Sequence, residues 1–212
     1  NYKGFDDWQL ALREKEQKEK EVQRMNFKQQ YLCGKCDFTY IDGCVELWHT
    51  RAEKDLDLTE YLGLTGEEHK TFLCGGRDAL AALLEPQRRK QRFVLYQLQL
   101  DEENAIPFAF KDITALKAAG YEQPPAAMYY VAGSGEIYCP AEESDDALLK
   151  RLFADCRERL PEGCRGRPMA ISDVVELNHG TKRAYYYVSG QDQFRQVKFS
   201  PMLAKKEIPE KT

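Results

Sequence analysis

Three short strand-like segments close together near the C-terminus constrain the fold more than any other feature. They span residues 173–178, 183–188 and 194–199 and are rich in β-branched and aromatic residues. Turn dipeptides separate them, His179-Gly180 first and Ser189-Gly190 second. Strands joined by such short turns pair with their chain neighbours in antiparallel order. The sequence therefore predicts a three-stranded antiparallel meander.

The residues before the meander complete an α+β domain. Residues 93–100 and 127–132 are predicted strands, and GSG at 133–135 is predicted to close the second of them. Residues 112–119 are a predicted helix ended by Gly120, and Ser144 caps another that carries Asp145 and Asp146 in its first turn. This order predicts a mostly antiparallel sheet with two helices on one face, at residues 93–199, followed by a charged tail at 200–212.

The N-terminal half reads as helical. Residues 1–32 hold a long helix from Asp6, polar on every face in its centre. Within a module at residues 33–86, Asp57 caps a short helix that ends at Gly63, and Thr65 with Glu68 forms a capping box for the next helix. A third helix at 78–85 is stopped by Pro86. The basic run QRRKQR at 87–92 is the predicted connector between domains.

The stretch YLCGKCDFTYIDGCVELWHT raises the question of a metal site. Asp42-Gly43 is a type I′ turn signal and predicts a hairpin over residues 38–49. Alternation along that hairpin places Cys36 and His49 on one face and Cys44 on the other. A zinc site built from Cys33, Cys36 and His49 remains, with Cys74 or His69 as a fourth ligand. Structural thiols and a redox Cys-x-x-Cys pair are the alternatives.

Composition narrows the class of protein. The chain has 212 residues, a net charge of −4 and seven cysteines, an odd number that favours free thiols in a reducing compartment such as the cytoplasm. No run of 18 apolar residues predicts a membrane span, and the first residues have no apolar core of a signal peptide. The chain lacks an initiator Met, so we expect a processed chain or a missing upstream segment.

Two stretches resemble known modules. The run CRGRPMAISDVVELNHGTKRAYYYVSGQDQFRQVKF, with YQLQL and FKDITALKAAGY upstream, is similar to YodL-like domains over roughly residues 93–199. The segment DLDLTEYLGLTGEEHKTFL resembles a small helical module found beside such domains in proteins of gut Firmicutes, with His69 where that module usually has an aromatic residue.

The resemblance implies a biological setting, and no catalytic residues come with the family. Such proteins are encoded on conjugative transposons, plasmids and phages. Ser172, Asp173 and Val174 match the most recognisable motif. A local backbone bond from Ser172 or Asp173 at the entry to the meander is one interpretation of that motif, and a role in recognition is the other.

Three functional hypotheses follow. The first is a non-catalytic protein-interaction protein of a mobile element, in its most concrete form an inhibitor of a host defence nuclease of the CRISPR or restriction type. Its partner would be the nuclease or a nuclease–nucleic acid complex. No nucleophile elbow, P-loop, zincin or dinucleotide-binding fingerprint is present. Candidate interaction residues are an aromatic anchor, Tyr186, and acidic groups that resemble phosphate charge: Asp101, Glu102, Glu103 and the run at 142–146.

The second hypothesis is a DNA-associated accessory factor for conjugative transfer or replication. Its phosphate contacts would come from Arg88, Arg89, Lys90 and Arg92, although an acidic chain disfavours direct binding of nucleic acid. The third is a small zinc-dependent module or enzyme that uses the three ligands named above.

Overall fold

The computed structural model describes residues 25–50, 56–100 and 103–206. The chain divides into two compact units. The first comprises the chain up to Arg89 together with Tyr138–Ala141, and the second comprises Lys90–Ile137 and Glu142–Thr212. The division falls between Arg89 and Lys90, inside the predicted connector at residues 87–92.

In its described part, the first unit is mainly helical, and it also contains the first residues of one strand and the last residues of another. Its helices are α1 (Phe27–Leu32), α2 (Tyr40–Thr50), α3 (Leu58–Leu62) and α4 (Gly66–Leu84). One apolar face of each contributes to a shared core, whose buried members are Phe27, Tyr31, Leu32, Ile41, Cys44, Leu62, Leu64, Leu80 and Leu84. Burial of these faces, rather than helix propensity, stabilises helices this short.

The helix ends predicted from capping residues are confirmed. The Asp57 carboxylate accepts a hydrogen bond of 2.9 Å from the backbone N–H of Glu60, and Gly63 ends α3 with a φ of 73°. Thr65 and Glu68 form the predicted reciprocal capping box at the start of α4. The predicted helix after Thr65 and the predicted helix at 78–85 together correspond to α4. They meet near Gly76, whose φ of 72° is non-helical and interrupts α4.

The predicted hairpin over residues 38–49 is wrong, because this segment is helix α2. Ile41 and Cys44 are buried on one side of α2, and Val45 packs against the same core. Spacings of three and four residues bring these side chains onto one helical face. A two-stranded hairpin without further strands is marginally stable in water, so the helix that buries this face prevails over the local Asp42-Gly43 turn signal.

A five-stranded antiparallel sheet forms the main part of the second unit, in the order β2-β1-β3-β4-β5. The predicted meander and the α+β class are thereby confirmed, but the second turn lies at Gln191-Asp192, because Ser189 and Gly190 still belong to β4. In the described part of the chain, no helix combines the length and the apolar character needed to cross a bilayer. The strands are β1 (Arg88–Leu98), β2 (Tyr129–Pro140), β3 (Val174–His179), β4 (Lys182–Gly190) and β5 (Gln193–Val197), and the helices are α5 (Ile113–Ala118) and α6 (Asp145–Cys156).

Two segments predicted as loops belong to strands. From Arg88 on, the basic run at 87–92 belongs to β1, where the Gln91 amide is buried and donates to the backbone oxygen of Asn178 at 2.7 Å. The GSG run lies within β2 instead of closing it. Gly135 stands against the ring of Phe93, where a Cβ would lie 2.9 Å from the ring carbons, so this glycine serves close packing and not a turn.

The two helices cover opposite faces of the sheet, which corrects the prediction of both on one face. The Tyr186 hydroxyl donates to Asp145 at the start of α6, whereas the hydroxyl of its neighbour Tyr187 donates to the backbone oxygen of Lys111, just before α5. Neighbouring residues of a strand point to opposite faces, so α5 and α6 lie on different sides.

Both ends of the chain depart from simple expectations. The predicted N-terminal helix lies outside the described residues up to residue 24, and its predicted continuation through residue 32 is wrong, because Asn26 is extended (ψ 168°) and caps α1 as a separate helix. The predicted charged tail begins with an ordered segment: the Lys205 N–H donates to the Tyr129 oxygen at 2.8 Å, and its own oxygen accepts from the Val131 N–H at 3.0 Å. Residues 207–212 lie outside the described part.

Candidate functional site

A buried ion pair organises the chain just ahead of the meander, residues 166–173, called the motif segment below. Asp173 has no exposed surface, and its carboxylate accepts two hydrogen bonds from the Arg167 guanidinium, at 2.9 and 2.5 Å. The backbone N–H of Ala170 adds a third bond at 2.9 Å. Burial raises the pKa of Asp173, and the Arg167 charge opposes that rise. The local backbone bond predicted for this motif is therefore present, together with an ion pair that the sequence did not suggest.

Gln97 of β1 connects this ion pair to the sheet. Its amide nitrogen donates to the backbone oxygen of Arg167 at 2.7 Å, and its amide oxygen accepts from the Tyr130 hydroxyl at 2.9 Å. Gly166 allows this approach, since a Cβ there would lie 2.4 Å from the Gln97 oxygen. With all these partners internal, the motif has little capacity left for proton transfer to a substrate.

Ser172 and Phe110 hold a strained corner beside the pair. Ser172 has a φ of 78° and Phe110 one of 57°, and the Ser172 hydroxyl accepts from the Phe110 N–H at 3.1 Å. The Tyr129 hydroxyl fixes the Ser172 carbonyl at 2.9 Å. Non-glycine residues rarely adopt such φ values, and the surrounding bonds hold them there. As a result the Phe110 ring stays half exposed, 5.0 Å from the Arg167 guanidinium.

A shallow apolar groove lies next to this corner. It has a volume of about 270 Å³ and lies between the C-terminal part of α6, the motif segment and the turn after β4. Its lining includes Phe110, Phe153, Arg157, Met169, Ile171 and Gln191. Apolar walls beside one cation suit a side chain of a binding partner, but no nucleophile–base pair lines the groove.

The proposed zinc ligands are not brought together. In the part of the chain that is described, no group of three or more His, Cys, Asp or Glu side chains is placed to hold a metal ion. Cys33 ends α1, while His49 lies in the last turn of α2, so the hairpin that would have joined Cys36 and His49 is absent. Burial raises the pKa of Cys36 to about 11, so without a metal it is a neutral thiol at neutral pH.

The four predicted phosphate-binding cations separate into two pairs. Arg88 lies between two aromatic rings, 4.2 Å from the centre of Tyr31 and 4.4 Å from that of Tyr138, and pairs with Glu85 at 2.9 Å. Arg89 donates to the backbone oxygen of Ala141. Lys90 and Arg92 are exposed, and the Lys90 ammonium lies 3.9 Å from the Glu136 carboxylate. Two of the four cations are therefore used within the first unit.

Much of the predicted acidic surface is neutralised by partners. Glu143 pairs with Arg151 at 2.7 Å, and Asp146 pairs with Lys150 at 2.7 Å. Asp145 accepts from the Tyr186 hydroxyl at 2.6 Å and contacts His179 at 3.0 Å. Glu103 is exposed, whereas Asp101 and Glu102 lie outside the described residues. Tyr186 is thus half-buried and hydrogen-bonded. Its pKa is raised mainly by burial and also by the hydrogen bond to Asp145.

The two edges of the sheet differ, a feature that sequence reasoning missed. The outer edge of β2 is covered where Tyr129 and Val131 bond to Lys205. At β5, within the residues that the structure describes, no backbone group bonds to the outer side of Gln193–Val197. A signal did exist in the sequence, because the last strand of a meander is an edge unless a further strand joins it.

Comparison with known proteins identifies the second half of the chain. The model of the YodL-like domain matches residues 92–199, about half of the chain. No curated protein and no solved structure matches this sequence.

Proposed function

Since the chain belongs to the YodL-like domain family through residues 92–199, we propose that it is a non-catalytic protein-interaction module of a mobile genetic element. The mobile-element setting rests on the resemblance of its motif and of the helical segment around α3 to proteins of such elements. The proposal assigns binding to the second unit and gives the family motif an architectural role.

The single observation that carries the proposal is the internal satisfaction of the motif. The carboxylate of Asp173, which is fully buried, accepts hydrogen bonds from Arg167, Ala170 and Gln97. A group committed in this way shapes a surface instead of reacting with a substrate. The surface that it shapes includes the half-exposed Phe110 and the groove, while the open edge of β5 lies at the side of the same sheet.

The concrete partner that we propose is a host nuclease that targets nucleic acid. Mimicry of phosphate charge is the less favoured mechanism, because Glu143, Asp145 and Asp146 already have cationic or hydroxyl partners. An apolar groove beside a strand edge supports direct protein contact instead. The second candidate, a DNA-associated accessory factor, retains Lys90 and Arg92 as exposed cations.

Binding and cleavage assays test the proposal. The purified protein is mixed with purified RNA-guided and restriction nucleases, and complexes are followed by size-exclusion chromatography and by the rate of DNA cleavage. We expect co-elution with at least one nuclease and slower cleavage by it. Failure to co-elute with every nuclease tested would remove this partner class.

A gel shift with duplex DNA distinguishes the second candidate. An accessory factor that uses Lys90 and Arg92 would bind at low salt, and binding would weaken linearly on a logarithmic salt scale. The double variant Lys90→Glu, Arg92→Glu would abolish that shift. We expect no shift with the unaltered protein, in keeping with its net charge of −4.

A further inference from the structure

We propose that the outer edge of β5 binds an extended, acidic peptide segment of a partner protein, which joins the sheet as a sixth strand. This inference rests on the proposed function and names the chemistry of its partner. It uses strand addition, in which main-chain hydrogen bonds give affinity and alternate side chains give specificity.

The hydrogen-bond pattern shows which groups of β5 face outward. The Val188 N–H donates to the Asp173 oxygen, so the main-chain N–H and C=O of Val188 face β3. Those of its neighbour Tyr187 therefore face β5. Tyr187 is opposite Arg195, which therefore bonds inward. By alternation, the N–H and C=O groups of Phe194 and Gln196 point outward.

An independent bond supports this assignment. Two and four residues separate Lys198 from Gln196 and Phe194, so its main-chain groups should face the same outward direction. Its N–H indeed donates outward to the side-chain oxygen of Gln123 at 2.7 Å. That side chain marks one end of the open edge, and the turn at Gln191 marks the other. The opening is five residues long, enough for a short strand and too short for a large interface.

The two edge strands of the sheet differ in whether their outward main-chain groups are hydrogen-bonded. The C-terminal segment satisfies the outward groups of Tyr129 and Val131 on β2, as proteins commonly do to block unwanted pairing. On β5 the corresponding groups of Phe194 and Gln196 have no such cover from the described residues. This contrast identifies β5 as the edge with capacity for a partner strand.

Charge argues against a second copy of this chain as the occupant. Two copies of β5 that pair antiparallel through both outward residues would place Phe194 opposite Gln196 of the partner copy. The symmetry axis would then pass between the two Arg195 side chains, which are exposed, and like charges directly opposite destabilise a strand pair. The same Arg195 favours a foreign strand with a carboxylate at that position.

Neighbouring residues specify the rest of the partner strand. By the same alternation, Lys198 lies on the face of Phe194, opposite to Arg195, and is an exposed cation there, while Asp192 is the acidic residue of the adjoining turn. On this face the half-buried Phe194 ring contacts Phe153, whose side chain also lines the groove. A matching segment therefore alternates an acidic side chain opposite Arg195 with apolar side chains toward Phe194 and the groove.

Titration of the ¹⁵N-labelled full chain with a synthetic peptide tests the inference. The probe is a capped seven-residue peptide that alternates valine and glutamate, and its matched control has lysine in place of glutamate. We expect saturable amide shifts centred on Phe194 and Gln196, with weak affinity in the range of about 1 mM. The lysine peptide should bind about fivefold more weakly, the upper end of what one opposed charge pair supplies.

Three variants sharpen the test. Arg195→Glu should reverse the preference between the two peptides, whereas Lys117→Glu makes the same charge change on α5 and should leave it unaltered. Gln196→Pro removes only an outward N–H, which edge strands tolerate, and should abolish binding while the remaining amide spectrum stays folded.

Several results would overturn the inference. These are the absence of saturable shifts, shifts centred away from β5, an unchanged preference in Arg195→Glu, or intact peptide binding by folded Gln196→Pro. Self-association of the free protein through β5, seen by sedimentation equilibrium, would point to a second copy instead. If a nuclease partner binds the Gln196→Pro variant as well as the original protein, the edge assignment fails while the proposed function stands.

Discussion

Arg167 and Asp173 form a bidentate ion pair in which the carboxylate is completely buried and the guanidinium remains about one-fifth exposed. The pair links the motif segment to the first strand of the meander. Loss of one partner leaves the other charge without compensation in the interior, which is far more costly than loss of an exposed pair.

We predict that Asp173→Asn lowers the free energy of unfolding by about 3 kcal/mol, the usual scale for a broken buried pair. Chemical denaturation with urea measures the change. Asp192→Asn, in an exposed hairpin turn, is the matched control and should change stability by less than about 0.5 kcal/mol. Equal effects of the two substitutions would show that the ion pair does not stabilise the domain.

Gly43→Ala distinguishes helix α2 from the hairpin that the sequence suggested. No neighbouring atom lies within 4 Å of a Cβ at this position, so alanine should stabilise the helix by about 0.5–1 kcal/mol. In a type I′ turn the same change would destabilise, because both central residues need a positive φ. Thermal unfolding followed by tryptophan fluorescence gives the sign.

Gly63→Ala provides the opposite control. Gly63 has a φ of 73°, and a Cβ there would lie 2.2 Å from the side chain of Asn26. We expect a loss of more than about 1 kcal/mol, since alanine is strained at positive φ even where space is available.

Tyr186→Phe should affect stability rather than binding. The Tyr186 hydroxyl bonds to Asp145 at 2.6 Å, and its removal should cost about 1 kcal/mol of unfolding free energy. Tyr121→Phe is a suitable control, because the contact of that ring with Phe108 at 5.5 Å survives the change. A Tyr186→Phe protein of full stability that no longer binds its partner would instead make Tyr186 an interface residue.

Glu68 should make the first unit sensitive to acid. Burial raises the pKa of Glu68, but hydrogen bonds from Lys28, Gln87 and the Thr65 backbone together hold it below its ordinary value of 4.5. A carboxyl with a lowered pKa in the folded state stabilises above its unfolded pKa, and this contribution is lost as the pH falls through the folded pKa.

Urea unfolding of the original protein and of Glu68→Gln between pH 7 and pH 3 checks this sign. The difference in stability should be constant near neutrality and shrink below about pH 4.5, where both chains carry a neutral side chain. A difference that grows in acid would mean that the pKa of Glu68 is raised by folding.

Local signals predicted local structure well. Asp57, Gly63 and the capping box of Thr65 with Glu68 fix helix ends through bonds that span three or four residues, so the sequence alone suffices. The meander was predictable for the same reason, because its turns are two residues long and its strands pair with their chain neighbours.

Failures occurred where distant residues decide. Asp42-Gly43 is a turn signal in isolation, yet Ile41 gains burial against residues of other helices only if the segment is helical. The glycines of GSG read as a turn because the ring of Phe93, about 40 residues earlier in the chain, cannot be placed beside Gly135 without the fold. The pairing of Arg167 with Asp173 was equally hidden, because both residues appeared only as parts of a family motif.

Hydrogen exchange at β5 tests the open-edge account most directly. In the free protein, the amides of Phe194 and Gln196 should exchange near the rate of an unstructured peptide, while those of Arg195 and Val197 should be protected by about a hundredfold or more. Addition of the valine–glutamate peptide should then slow exchange at Phe194 and Gln196 alone. Strong protection of Phe194 and Gln196 in the free protein would contradict the account, since it would mean that the outer edge of β5 is already paired.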